Sequence, residues 1–95
     1  MVESEVTNQL ECVPFESTYL EIVLSERKPK TNVYQILNKS NNSIILGEVK
    51  WYANWRQYCF FPMEETIFSR GCMQDINLFI YQLMQQRTIQ SNRNE

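Results

Sequence analysis

The sequence has no histidine and only one aspartate, Asp75. That removes the commonest general base, the commonest metal ligand and most arrangements of paired carboxylates. Two glycines, Gly47 and Gly71, are too few for a loop that cradles phosphate with its backbone. Three cysteines, Cys12, Cys59 and Cys72, form an odd set without a CxxC pair, so neither a disulfide framework nor a zinc site is indicated. They are expected to be reduced thiols acting as small apolar side chains. No apolar run approaches the roughly 18–20 residues needed to cross a bilayer. The start, Met1-Val2-Glu3-Ser4-Glu5, is acidic where a signal peptide is basic and then apolar, so a cytosolic protein with no membrane partner is expected. Basic excess is also missing: nine Lys and Arg against eleven Asp and Glu leave a net charge of -2, which does not draw in nucleic acid by bulk electrostatics.

What is present suits one small globular domain: 95 residues, of which 43% are hydrophobic and 13% aromatic. A chain of this size holds one core but not a core plus a deep substrate cavity. Charge is uneven along it. Glu3, Glu5, Glu11 and Glu16 load the N-terminus, Arg27, Lys28 and Lys30 cluster, and Lys50, Arg56 and Arg70 punctuate an aromatic region, so a local basic patch on an acidic protein is compatible with the totals.

Residues 1–17 read as an acidic arm, disordered or partly docked, with Pro14 interrupting scattered apolar positions. Thr18 to Leu24 predicts a first strand, ended by the charged, proline-bearing turn from Ser25 to Lys30. Asn32 to Asn38 predicts a second, antiparallel strand, and the polar cluster Lys39 to Ser43 a turn. Ile44 to Tyr52 and Arg56 to Phe61 predict a hairpin joined at Ala53-Asn54 and closed by Pro62. With that two-residue loop Trp51 faces Arg56 and Val49 faces Tyr58; Gly47, Val49, Trp51, Tyr58 and Phe60 share a core face, and Glu48, Lys50, Tyr52, Trp55, Gln57 and Cys59 share the other. A loop longer or shorter by one residue would swap Arg56, Tyr58 and Phe60 between faces. Thr66-Ile67-Phe68 is a candidate short edge strand.

Ser69 fits a helix N-cap, after which Cys72, Ile76, Phe79, Ile80 and Leu83 recur at helical spacing. Leu78 and Tyr81 fall outside that stripe, and 91–95 read as a polar tail. The expected fold is α+β: a four- to five-stranded antiparallel sheet packed against one C-terminal amphipathic helix, forming a single domain over 18–90.

Lys50, Tyr52, Trp55 and Gln57, with Arg56 at the hairpin tip, make an aromatic platform with cationic and amide groups, able to stack a base and pair a phosphate. The competing reading gives the hairpin aromatics to the core, with Arg56 stacked on Trp51 as its cap. Glu48, Arg56 and Tyr58 contain the group types for metal-independent phosphodiester cleavage, but they are expected on opposite hairpin faces, so no catalytic residue, metal or cofactor is assigned.

The block Leu46-Gly47-Glu48-Val49-Lys50-Trp51-Tyr52-Ala53-Asn54-Trp55-Arg56-Gln57-Tyr58-Cys59-Phe60-Phe61-Pro62, followed by Thr66-Ile67-Phe68 and Cys72-Met73-Gln74-Asp75-Ile76, resembles a family of small, mostly uncharacterised proteins of bacteriophages, prophages and other mobile elements. Lys28 to Tyr34 also resembles that family's first turn and second strand, so the resemblance covers residues 28–84. It implies a viral or mobile-element origin and the cytoplasm of a bacterial host, and it brings no catalytic residues. The expectation that follows is a non-catalytic accessory protein acting by binding, in an anti-defence role that blocks a host protein or sequesters a nucleotide-like signal. A single-stranded nucleic-acid-binding module is the alternative and a nuclease-like enzyme the weakest reading. A homodimer is expected from exposed Leu78 and Tyr81 and from unpaired sheet edges.

Overall fold

The computed structural model describes residues 11–93. Its strands are β1 (Glu11–Cys12), β2 (Leu20–Arg27), β3 (Asn32–Asn38), β4 (Asn41–Tyr52) and β5 (Gln57–Pro62), followed by one helix, α1 (Arg70–Arg93). The five strands form one antiparallel sheet in chain order, so every connection is a hairpin or a short return and the α+β architecture expected from the element pattern is present.

The boundaries differ from the sequence reading for local reasons. β2 continues to Arg27 because Ser25 forms a bulge: Leu24 pairs with Tyr34 and Glu26 with Val33, while the Ser25 hydroxyl donates to the Val33 carbonyl at 3.2 Å. The turn is therefore confined to Lys28–Thr31, closed by the Lys28 amide donating to the Thr31 carbonyl. At the next turn the Asn38 carboxamide oxygen accepts from the amides of Ser40 and Asn41, which tightens the reversal and lets β4 begin at Asn41. Thr66–Phe68 forms no strand. The Thr66 hydroxyl donates to the Met63 carbonyl and Glu65 takes φ 60, a turn that carries the chain away from the sheet edge, and Phe68 packs edge-on against Phe60 instead. The fifth strand comes from the other end of the chain, where Glu11 and Cys12 pair with Leu24 and Val23.

α1 starts as its sequence requires. The Ser69 hydroxyl accepts from the Cys72 amide at 3.2 Å, and the Ser69 carbonyl takes the first helical bond, from Met73. The helix runs to Arg93, three residues into the segment read as a tail, because no glycine or proline follows Gly71 to stop it.

The alternating side chains Leu20, Ile22, Leu24, Tyr34, Ile36, Val49 and Tyr58 pack against Ile76, Phe79 and Leu83 of α1. Phe79 stands edge-to-face with Phe15 and Tyr34, at centroid distances of 5.4 and 5.1 Å. Segment 11–17 is joined to this core by Val13 and Phe15 and by a polar clasp. Buried Ser17 donates to Asp75 on α1 at 2.6 Å while its oxygen accepts from the Tyr19 and Leu20 amides. The sole aspartate of the chain thus ties the arm to the helix. Residues 1–10 of the expected arm lie outside the described residues.

Candidate functional site

Strand alternation builds the candidate surface. In the β4–β5 ladder Trp51 pairs with Tyr58, Tyr52 with Gln57, and Lys50 with Cys59. The loop is therefore Ala53–Arg56, two residues longer than expected, and the pairing is shifted by two. A shift of two preserves the face of every side chain, so the division into a core face and an outer face holds although the opposed partners change. Lys50, Tyr52, Gln57, Cys59 and Phe61 point away from α1, and Trp55 and Arg56 leave the ladder for the loop.

That loop is closed by the Tyr52 carbonyl, which accepts from the Trp55 and Arg56 amides. Arg56 adopts φ 56, a left-handed conformation that costs a non-glycine residue about 1–2 kcal/mol. The strained turn brings Trp55 back over Tyr52, their rings 5.0 Å apart at 89°. Tyr52 in turn meets Phe61 at 6.0 Å, its hydroxyl accepts from Asn54 Nδ2 at 3.2 Å, and Trp55 remains 66% exposed. Lys50 lies over Phe61 at 4.8 Å and pairs with Glu48 at 3.4 Å.

The structure gathers Lys50, Tyr52 and Trp55 on one surface, with Gln57 opposite Tyr52. Arg56 does not cap Trp51. The residue over the Trp51 ring is Arg87, with its guanidinium carbon 4.1 Å from the centroid, because the longer loop moves Arg56 out of the pair position opposite Trp51 and the last turns of α1 fill the space. Arg87 was legible in one respect: it lies four residues beyond Leu83, beside the apolar stripe of the helix, and is half-buried there. Glu48 and Tyr58 lie on opposite faces of the hairpin, so Glu48, Arg56 and Tyr58 do not converge. Burial raises the Tyr58 hydroxyl above the ordinary phenol pKa, and the Asn32 amide and Arg87 only partly offset it. Among the described residues no three His, Cys, Asp or Glu side chains are grouped to hold a metal ion, and no helix is long and apolar enough to cross a membrane.

Fold and surface together define a small single-sheet α+β protein that displays a braced aromatic hairpin tip. No protein-family model matches the chain, and no solved structure matches it. A protein of Acholeplasma phage L2, described as an uncharacterised 9.3 kDa protein, is 34% identical over 58 residues, which span 61% of this chain and 73% of the phage protein. The chain belongs to the family of that phage protein.

Proposed function

We propose that this is a phage accessory protein that acts by binding rather than catalysis, and that it engages a host protein through the β4–β5 hairpin tip in an anti-defence role. The observation that carries the reading is Trp55: two-thirds exposed, yet held in place by Tyr52 and the Arg56 turn. A large aromatic side chain fixed before contact loses little entropy on binding, which is why such residues dominate the energetics of protein interfaces. Relationship to a phage protein supports the setting.

A single-stranded nucleic-acid module is the second reading, favoured by the exposed indole and the nearby cation. It is weaker because Lys50 already has Glu48 and the Phe61 ring as neighbours. Titration with single-stranded DNA and RNA oligonucleotides at two salt concentrations separates the two: no binding at low salt removes the second reading, and salt-sensitive binding lost in Trp55→Ala replaces the first with it. Release of a nucleotide-like molecule from denatured protein purified out of host cells would instead indicate a sequestering role.

The same reading includes a homodimer formed through the outer side of α1, where Leu78 is 47% and Tyr81 58% exposed. Light scattering at tens of micromolar that returns a strict monomer contradicts it.

A further inference from the structure

On the helix side of the sheet, the turn between β2 and β3 and the C-terminal half of α1 flank an open cavity of about 200 Å³. Lys28, Lys30 and Arg87 line it, and none of the described lining residues is acidic. On a chain of net charge -2, three cations around one cavity, with no carboxylate among the described residues lining it, form a local field of opposite sign to the whole.

Several donors converge there beside the cations. Asn32 uses its backbone amide on the Tyr58 hydroxyl and its Nδ2 on the Tyr34 hydroxyl, each at 3.2 Å. Both phenol oxygens are acceptors in these bonds, so each keeps an O–H to give, and among the described residues neither has an acceptor for it. Tyr58 is 6% and Tyr34 9% exposed, and both line this cavity, where an occupant with acceptor oxygens takes the proton each has to give. Arg87 adds further N–H groups. Its guanidinium is fixed between the Trp51 ring and the Lys30 carbonyl, to which Nη1 donates at 3.1 Å, and that single bond leaves most of the fork uncommitted. Donors and cations that converge on one cavity, with no carboxylate among its described lining residues, favour the same occupant: a compact group made of acceptor oxygens carrying negative charge.

We propose that this cavity binds a phosphate-class oxyanion, free or as the terminal phosphate of a small phosphomonoester, through Arg87, Lys28, Lys30 and the hydroxyls of Tyr34 and Tyr58. Its volume lies below the roughly 300–1,000 Å³ of pockets that enclose whole small ligands, so the phosphate enters and any organic remainder stays outside. With its pKa raised by burial above the ordinary 10.0, the Tyr58 hydroxyl remains a donor across the neutral range. None of the hairpin-tip residues takes part.

Isothermal titration of the full chain at low salt tests this with inorganic phosphate, a nucleoside 5′-monophosphate and the parent nucleoside. Phosphate and monophosphate should bind at one site per chain and the nucleoside should not. A monophosphate bound more tightly than inorganic phosphate assigns the site to a phosphomonoester, and equal affinity assigns it to free phosphate. The double substitution Lys28→Gln/Lys30→Gln, on an exposed turn, should weaken binding about tenfold or more at an unchanged melting temperature, the scale expected when hydrogen bonds to a charged group are lost. Tyr34→Phe keeps the ring and removes one donor, and should weaken binding several-fold, whereas Trp55→Ala should not alter it. Absence of binding by both phosphate probes overturns the proposal. So does nucleoside binding that equals the monophosphate's, or affinity unchanged in both the lysine and Tyr34 variants.

Discussion

Replacing Gly47 by alanine puts a methyl group where β5 already is. The new Cβ would lie 2.6 Å from the Phe61 carbonyl oxygen and 2.7 Å from two carbons of the Phe60 ring. The ring is the softer obstacle, yet Phe68 holds it edge-on at 5.2 Å. The carbonyl belongs to the β4–β5 ladder, where Gly47 pairs with Pro62 and Glu48 with Phe61, so it retreats only if the ladder opens locally. Overpacking of this kind costs about 1–3 kcal/mol. Against it stands the reduced freedom of the unfolded chain, which favours alanine by about 0.4–1 kcal/mol. The expected net loss of about 1–2 kcal/mol is a large share of the roughly 5–15 kcal/mol that holds a domain together. In a chain of this length it lowers the melting temperature by roughly 4–8 °C per kcal/mol. Urea unfolding followed by far-ultraviolet circular dichroism reads the change as a lower midpoint at an unchanged slope. A midpoint equal to or above the wild type would refute the close approach of β5 to Gly47 and, with it, the β4–β5 register.

Phe79→Ala should cost about 3–5 kcal/mol in the same assay, since the ring is 3% exposed and braced by Phe15 and Tyr34. Asp75→Asn should cost about 1–3 kcal/mol by weakening the bond that Ser17 donates, and hydrogen exchange at the Tyr19 and Leu20 amides should accelerate with it. Tyr58 sets an alkaline limit. Its folded pKa is raised by burial, so the folded protein retains a proton that the unfolded chain releases near the ordinary value of 10.0, and stability falls as pH rises from there. Denaturant midpoints across that alkaline range should decline less steeply in Tyr58→Phe, and a parallel decline would contradict the assignment.

Much of the fold was legible because the core obeys simple periods. Leu20, Ile22 and Leu24 alternate, Ile76, Phe79 and Leu83 recur at helical spacing, and Ser69 stands where a cap belongs. Missing pieces depended on contacts between distant segments. Pairing of Glu11–Cys12 with β2 and the clasp of Ser17 on Asp75 leave no periodic trace in two to seven residues. The bulge at Ser25 and the left-handed turn at Arg56 arise from backbone geometry that neither residue type favours. For the candidate surface, Lys50, Tyr52 and Gln57 could be grouped from alternation alone, because an error of two residues in the loop does not change a face, whereas Trp55 joins them only through the turn that returns it over Tyr52. Replacement of Arg56 by Arg87 over Trp51 could not: it is set by how far α1 reaches along the sheet. The cation cavity draws its groups from the β2–β3 turn, β3, β5 and α1, which no stretch of sequence brings together.

The separation of a binding surface from the core is the central claim, and thermal melts of Lys50→Ala, Trp55→Ala and Phe79→Ala beside capture of a partner from host lysate test it most directly. Lys50 lies on the outer face and Trp55, 66% exposed, in the hairpin loop beside it, where loss of a side chain typically costs less than about 0.5 kcal/mol, so both variants should melt close to the wild type. Trp55→Ala should at the same time lose the partner that the wild-type protein retains. Melting of both variants as early as Phe79→Ala, or full retention of the partner by a folded Trp55→Ala protein, would contradict the account.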